Sequence, residues 1–136
     1  MREWRYGMAA VAALALSALS GCGSVSERED DVQAAVTRFE QALAQQAPAR
    51  LCAALAPGAR QEVEQSAKRP CSQAIGLEEL MVGGRVRTVD VYGQQARVVL
   101  HNDTLFLSRF PQGWLVIAVG CRQRPAQPYQ CQVKSG

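Results

Sequence analysis

Residues 85–121 read RVRTVDVYGQQARVVLHNDTLFLSRFPQGWLVIAVGC, and their hydrophobic period is two. Val89 and Val91 alternate with Thr88 and Asp90 before Tyr92-Gly93-Gln94 turns the chain. Ala96, Val98 and Leu100 alternate with Gln95, Arg97 and Val99, and His101-Asn102-Asp103 makes the next turn. Leu105 and Leu107 alternate with Phe106 and Ser108 before Pro111-Gln112-Gly113, and Trp114 to Cys121 is a sustained apolar run of the kind a central strand carries. Strict alternation bounded by turn residues predicts strands, and turns this short join antiparallel neighbours, so about four strands form a meander. Val86 falls out of phase with Val89, which predicts a bulge near Arg87-Thr88.

Upstream the period is helical. Val32, Ala35, Val36, Phe39, Ala42 and Leu43 recur at three- and four-residue steps, with Arg38, Glu40, Gln41 and Gln45 on the other side. Ser26 and Glu29 have capping-box spacing, and Glu27, Asp30 and Asp31 suit the positive end of a helix dipole. Asp30 and Asp31 are therefore read as helix-end charges and not as a catalytic pair. The helix stops before Pro48, because a residue preceding proline is pushed out of the helical region. Ala49 to Ala56 reads as a second helix ended by Pro57-Gly58, and Ala59 to Ala67 as a third, broken by Lys68-Arg69-Pro70. Cys71 to Leu80 supplies a last helical turn or two before Gly83-Gly84. Beyond Cys121 the chain is polar and proline-bearing, and Tyr129 to Val133 is expected as a tail held against the sheet. Helices first and strands after predict an α+β fold with N-terminal helices packed on a curved antiparallel sheet.

The N-terminal stretch is organised differently. Arg2 and Arg5 precede an apolar run from Met8 to Leu19, then Leu19-Ser20-Gly21-Cys22. A positive start, a short apolar core and small residues before a cysteine are the layout of a secretory signal peptide. The last four residues resemble the lipobox of bacterial lipoproteins. That resemblance implies removal of residues 1–21, a lipid on Cys22 and a short tether over 22–27, leaving one domain over 28–136. Taking residues 1–21 from 136 leaves 115, enough for a single core.

The whole chain carries 15 Lys and Arg against 12 Asp and Glu, a formal charge of +3. Its basic residues (Arg38, Arg50, Arg60, Arg85, Arg87, Arg97, Arg109 and Arg122 among them) are scattered, which gives no nucleic-acid footprint. Five cysteines are present, and with Cys22 set apart four remain: Cys52, Cys71, Cys121 and Cys131. An even number in an exported chain reads as two disulfides. Of three possible pairings, Cys52–Cys71 and Cys121–Cys131 each close a short local loop and are favoured. A four-cysteine zinc site is the alternative, but no two cysteines have C-x-x-C spacing, so no metal is expected. No cofactor motif occurs either: phosphate loop, dinucleotide fingerprint and nucleophile elbow are all missing from the sequence.

Several motifs together resemble the small NTF2-like (SnoaL-like, cone-shaped) lipoproteins of actinobacteria. They are the lipobox, Val36-x-x-Phe39-x-x-Ala42-Leu43, Leu51-Cys52-x-x-Leu55-x-Pro57, Pro70-Cys71 and Val91-Tyr92-Gly93. Trp114-x-Val116-x-Ala118-x-Gly120-Cys121 and Pro128-Tyr129-x-Cys131-x-Val133 complete the set. The resemblance implies a sheet curled around the first helix, with a cavity walled by Phe39, Leu43, Val98, Leu100, Phe106 and Trp114 that is either ligand-sized or filled by its own side chains. The inward parity of the third strand stays open between Leu105/Leu107 and Phe106. The resemblance implies a fold more than an activity. Isomerases on this scaffold need a carboxylate base and a donor such as tyrosine in an apolar pocket. Asp90, Tyr92, His101 and Asp103 are the polar candidates, and each falls at a turn or strand end. The expected function is a non-catalytic binding module lipid-anchored to the outer face of the cell membrane. It would dock on an envelope protein or, alternatively, carry a small apolar or lipidic ligand in the cone. An isomerase-like enzyme is the third reading.

Overall fold

The computed structural model describes residues 23–136. The signal peptide and the lipidated Cys22 of the sequence reading lie outside the described residues. Four helices come first: α1 (Val25–Ala44), α2 (Pro48–Ala54), α3 (Pro57–Ala67) and α4 (Cys71–Ala74), the last continued by a 3-10 turn over Ile75–Glu78. Five strands follow: β1 (Val86–Tyr92), β2 (Gln95–Leu100), β3 (Thr104–Phe110), β4 (Gly113–Arg124) and β5 (Gln127–Lys134). They form one antiparallel sheet in the order β1-β2-β3-β4-β5. The α+β layout agrees with the sequence. The strand count does not, because the expected tail is a fifth strand pairing with β4 from Lys134 at Ala118 to Gln127 at Arg124.

The start of α1 also differs. The capping box is Ser24–Glu27, not Ser26–Glu29. The Glu27 N–H donates to Ser24 Oγ at 3.1 Å, and the Ser24 N–H donates to Glu27 Oε2 at 2.6 Å. Residues 25–27, expected as tether, are therefore the first turn of the helix. Pro48 and Pro57 each occupy the first turn of a helix, where the missing N–H has no intrahelical partner to lose.

The core lies between the helices and one face of the sheet. Val32, Val36 and Phe39 of α1 and Leu55 after α2 meet Val98, Leu105, Leu107 and Val116, all fully buried. Each such aliphatic or aromatic side chain contributes about 1.5–3 kcal/mol on burial. Cys52–Cys71 ties α2 to the start of α4 across 19 residues, and Cys121–Cys131 joins directly opposite residues of β4 and β5. Both pairings are the local ones.

Three irregularities shape the sheet, one of them in the β4–β5 ladder between Arg122 and Arg124. The expected bulge in β1 lies between Val86 and Thr88. A second, between Phe106 and Leu107 opposite Val116 to Ala118, opens the β3–β4 ladder. There the Val116 carbonyl accepts the Ala56 N–H at 2.8 Å, which attaches the α2–α3 junction to β4. Further along β4, Gly120 sits at φ +68°, and a Cβ built there would meet the Gln132 side chain at 2.5 Å, so glycine alone fits.

Candidate functional site

The expected cavity is a packed core. Phe39, Val98, Leu100 and Trp114 are buried in the cluster between helices and sheet, and Leu43 packs on its margin. These side chains pack against one another in a single buried cluster. Surface depressions of about 490, 470 and 390 Å³ each touch at most one of the six expected wall residues: Trp114 lines the first, Leu43 the third.

Phe106 does not belong to that wall. Leu105 and Leu107 are fully buried, facing Val98 and Ala96 across the ladder, so Phe106 points to the other face. There it meets Tyr129 edge-on with ring centroids 5.1 Å apart. The Arg97 guanidinium, paired with Asp90 at 2.7 Å, also donates to the Tyr129 hydroxyl at 3.4 Å. Asp90 is therefore an ion-pair partner on the outward face. The side chains of β1, β2, β3 and β5 are linked there by one chain of contacts.

The other polar candidates separate. Tyr92 is 63% exposed, His101 is exposed at the β2–β3 turn, and Asp30 and Asp31 are exposed on α1. Asp103 alone is drawn inward. Its carboxylate accepts the backbone N–H groups of Thr104 at 2.7 Å, Cys121 at 3.0 Å and Gly120 at 3.1 Å. Burial raises its pKa above the ordinary value, although those three donors favour the charged form.

Glu40 is the residue the sequence reading missed. It lies near Asp103, and its Oε2 accepts the Gly83 N–H at 2.7 Å while Oε1 is buried with no partner among the described residues. Burial raises its pKa, opposed by the N–H groups of Gly83 and Gly84, and the Asp103 charge adds to the rise. The one available signal was position, since Glu40 stands four residues after buried Val36 and three before Leu43, at the margin of the apolar stripe. Both carboxylates hold backbone: Glu40 fixes the approach to β1, and Asp103 fixes the bend in β4. Gly83 completes the junction by accepting the Asn102 N–H at 2.8 Å.

Beside this junction lies the main apolar surface. Leu77, Met81 and Val82 are 61%, 72% and 45% exposed, and all three fall within six residues of chain. Met81 borders the Cys121–Cys131 disulfide, sharing one depression with Cys131 and another with Cys121. The Gln132 amide donates to the Glu78 carbonyl at 3.1 Å and fastens this segment to β5. No helix among the described residues is long and apolar enough to cross a membrane, and no group of three or more His, Cys, Asp or Glu is placed to hold a metal ion.

The geometry defines an α+β domain in which two partly buried carboxylates hold backbone and three of the five exposed large apolar side chains lie on one segment, among the described residues. No family model matches the chain, and no curated protein or solved structure matches it either.

Proposed function

We propose that this protein is an extracytoplasmic lipoprotein of the NTF2-like type, anchored through a lipid on Cys22, that acts as a non-catalytic docking module for a protein of the cell envelope. The observation that carries the docking role is the Leu77–Met81–Val82 surface, with a filled interior behind it. Apolar side chains grouped on one exposed segment cost solvation unless a partner covers them. Two disulfides support an oxidising compartment and leave Cys22 as the odd cysteine. A carrier of an apolar ligand would need an interior cavity, and the six residues expected to wall it are instead packed among themselves or face elsewhere.

Two experiments test the reading. Radiolabelled palmitate should enter the wild-type chain and not Cys22→Ser, which should leave the membrane fraction. A photocrosslinking residue at Met81 in living cells should give one discrete protein adduct, while the same residue at Tyr92 should not. Equal adducts at both positions, or none at Met81, would remove the docking role while leaving the anchor standing.

A further inference from the structure

The depression of about 490 Å³ lies between α1, α2 and the β3–β4 turn and shares no lining residue with the depressions at Met81. Its volume falls in the range of small-molecule sites. Arg38 of α1 and Arg50 of α2 both line it, with the amides of Gln41 and Gln112, and no carboxylate does. Trp114, only 5% exposed, borders it together with Ala53, Ala54 and Leu115, which supply the rest of the apolar wall.

The pairing of these arginines is unusual within this chain. Among the described residues only Arg97 has an ion pair, on a carboxylate at 2.7 Å, so Arg38 and Arg50 stand out by sharing one depression and not by lacking a carboxylate. Arg38 has Ala34, Ala35, Gln41 and Ala42 at the neighbouring helical positions, and Arg50, in the first turn of α2, has Ala53 and Ala54. Neither can form an i,i+3 or i,i+4 ion pair. Arg50 donates to the Gln45 amide oxygen at 2.5 Å, a neutral partner that leaves the charge uncompensated. Two guanidinium groups from different helices thus share one concave site with an aromatic wall and no acid. Guanidinium recognises carboxylate and phosphate through paired N–H donors.

We infer that this groove binds a small organic anion, its charged group on Arg38 and Arg50 and its apolar body against Trp114. The site is independent of the membrane anchor and of the docking segment.

Benzoate is the probe, with benzamide as its uncharged isostere and inorganic phosphate as a charge without an apolar body. The full chain in nonionic detergent, carrying Trp4→Phe so that Trp114 is the single tryptophan, reports binding by fluorescence. Benzoate should change Trp114 emission saturably, and benzamide and phosphate should each bind about tenfold more weakly or worse. Arg38→Ala and Arg50→Ala should each weaken benzoate about tenfold with an unchanged melting temperature, since both side chains are exposed. Equal binding of benzoate and benzamide, or indifference to both substitutions, overturns the inference. Phosphate binding as tightly as benzoate overturns the role of the apolar body. Displacement of benzoate by phosphatidylglycerol vesicles but not phosphatidylcholine vesicles assigns the anion to a lipid; displacement by neither assigns it to a free acid. Both results sustain the chemistry.

Discussion

The carboxylate of Asp103 accepts the backbone N–H of Cys121 at 3.0 Å, so the β2–β3 turn holds the strand that carries the second disulfide. The Gly120 N–H reaches the same carboxylate, and Gly120 is where β4 bends at φ +68°. One side chain therefore stabilises a backbone bend that the β-ladder alone does not satisfy. Asp103→Ala should leave three partly buried donors, the N–H groups of Thr104, Gly120 and Cys121, without this acceptor and cost about 3 kcal/mol or more. Asp103→Asn keeps an acceptor oxygen and should cost less. Urea unfolding of the three chains checks the order, and equal stability of wild type and Asp103→Ala would remove this role.

The pH dependence follows from Glu40 and Asp103 together. Burial raises both carboxyls above their ordinary values, and the Asp103 charge adds to the rise at Glu40. The folded state then holds these protons more tightly than the unfolded chain does. Their contribution to stability is greatest below the ordinary carboxylate range and declines as pH rises through the raised folded values. Glu40→Gln removes the charge and retains an acceptor for Gly83. Its melting temperature should exceed that of wild type at neutral pH, and the gap should close as the medium becomes acid. A gap that widens toward acid pH would reverse the sign and refute the argument.

The second disulfide should matter locally. Cys121–Cys131 closes 10 residues, and the chain-entropy estimate for such a loop is about 3 kcal/mol. The Cys121→Ser, Cys131→Ser double variant should lose about that much stability. Amide exchange should accelerate most over Tyr129–Val133, because this stretch is then held only by the β4–β5 ladder, by Tyr129 on Phe106 and Arg97, and by Gln132 on the Glu78 carbonyl. Uniform acceleration across the sheet would instead mean that the bond supports the whole fold.

What could be read from the sequence was what local spacing encodes. The α1 stripe, the alternation in β2 and β3, the β1 bulge and both local disulfides needed only nearest-neighbour patterns. The errors came where two readings shared one pattern. Ser24-x-x-Glu27 and Ser26-x-x-Glu29 are overlapping capping boxes, and only the first caps the helix. Leu105-Phe106-Leu107 is apolar on both faces, so its parity was decided by pairing of Leu105 with Val98. In β5, Tyr129, Cys131 and Val133 do alternate, but glutamines and a proline around them hid the strand. Glu40 and the Arg38–Arg50 groove depend on chain that is distant or on another helix, and no local pattern reports that.

Gly83 gives the last test of the junction. It is buried, its N–H donates to Glu40 and its carbonyl accepts from Asn102. A Cβ added there would overlap Leu100 Cδ1 and lie 3.1 Å from Leu100 Cβ and 3.2 Å from Asp103 Cβ. Leu100 is only 2% exposed and has little room to move aside. Gly83→Ala should therefore destabilise by about 1–3 kcal/mol, the usual cost of overpacking. Gly76→Ala, with nothing within 4 Å of the new methyl, is the matched control and should be close to neutral. Adding Leu100→Val to Gly83→Ala removes a methylene where the clash occurs. The double variant should be more stable than the sum of the single changes, because neighbours that share one space are not additive. Strict additivity in a double-mutant cycle would show that the methyl is accommodated elsewhere and that Gly83 is not packed on Leu100 in solution.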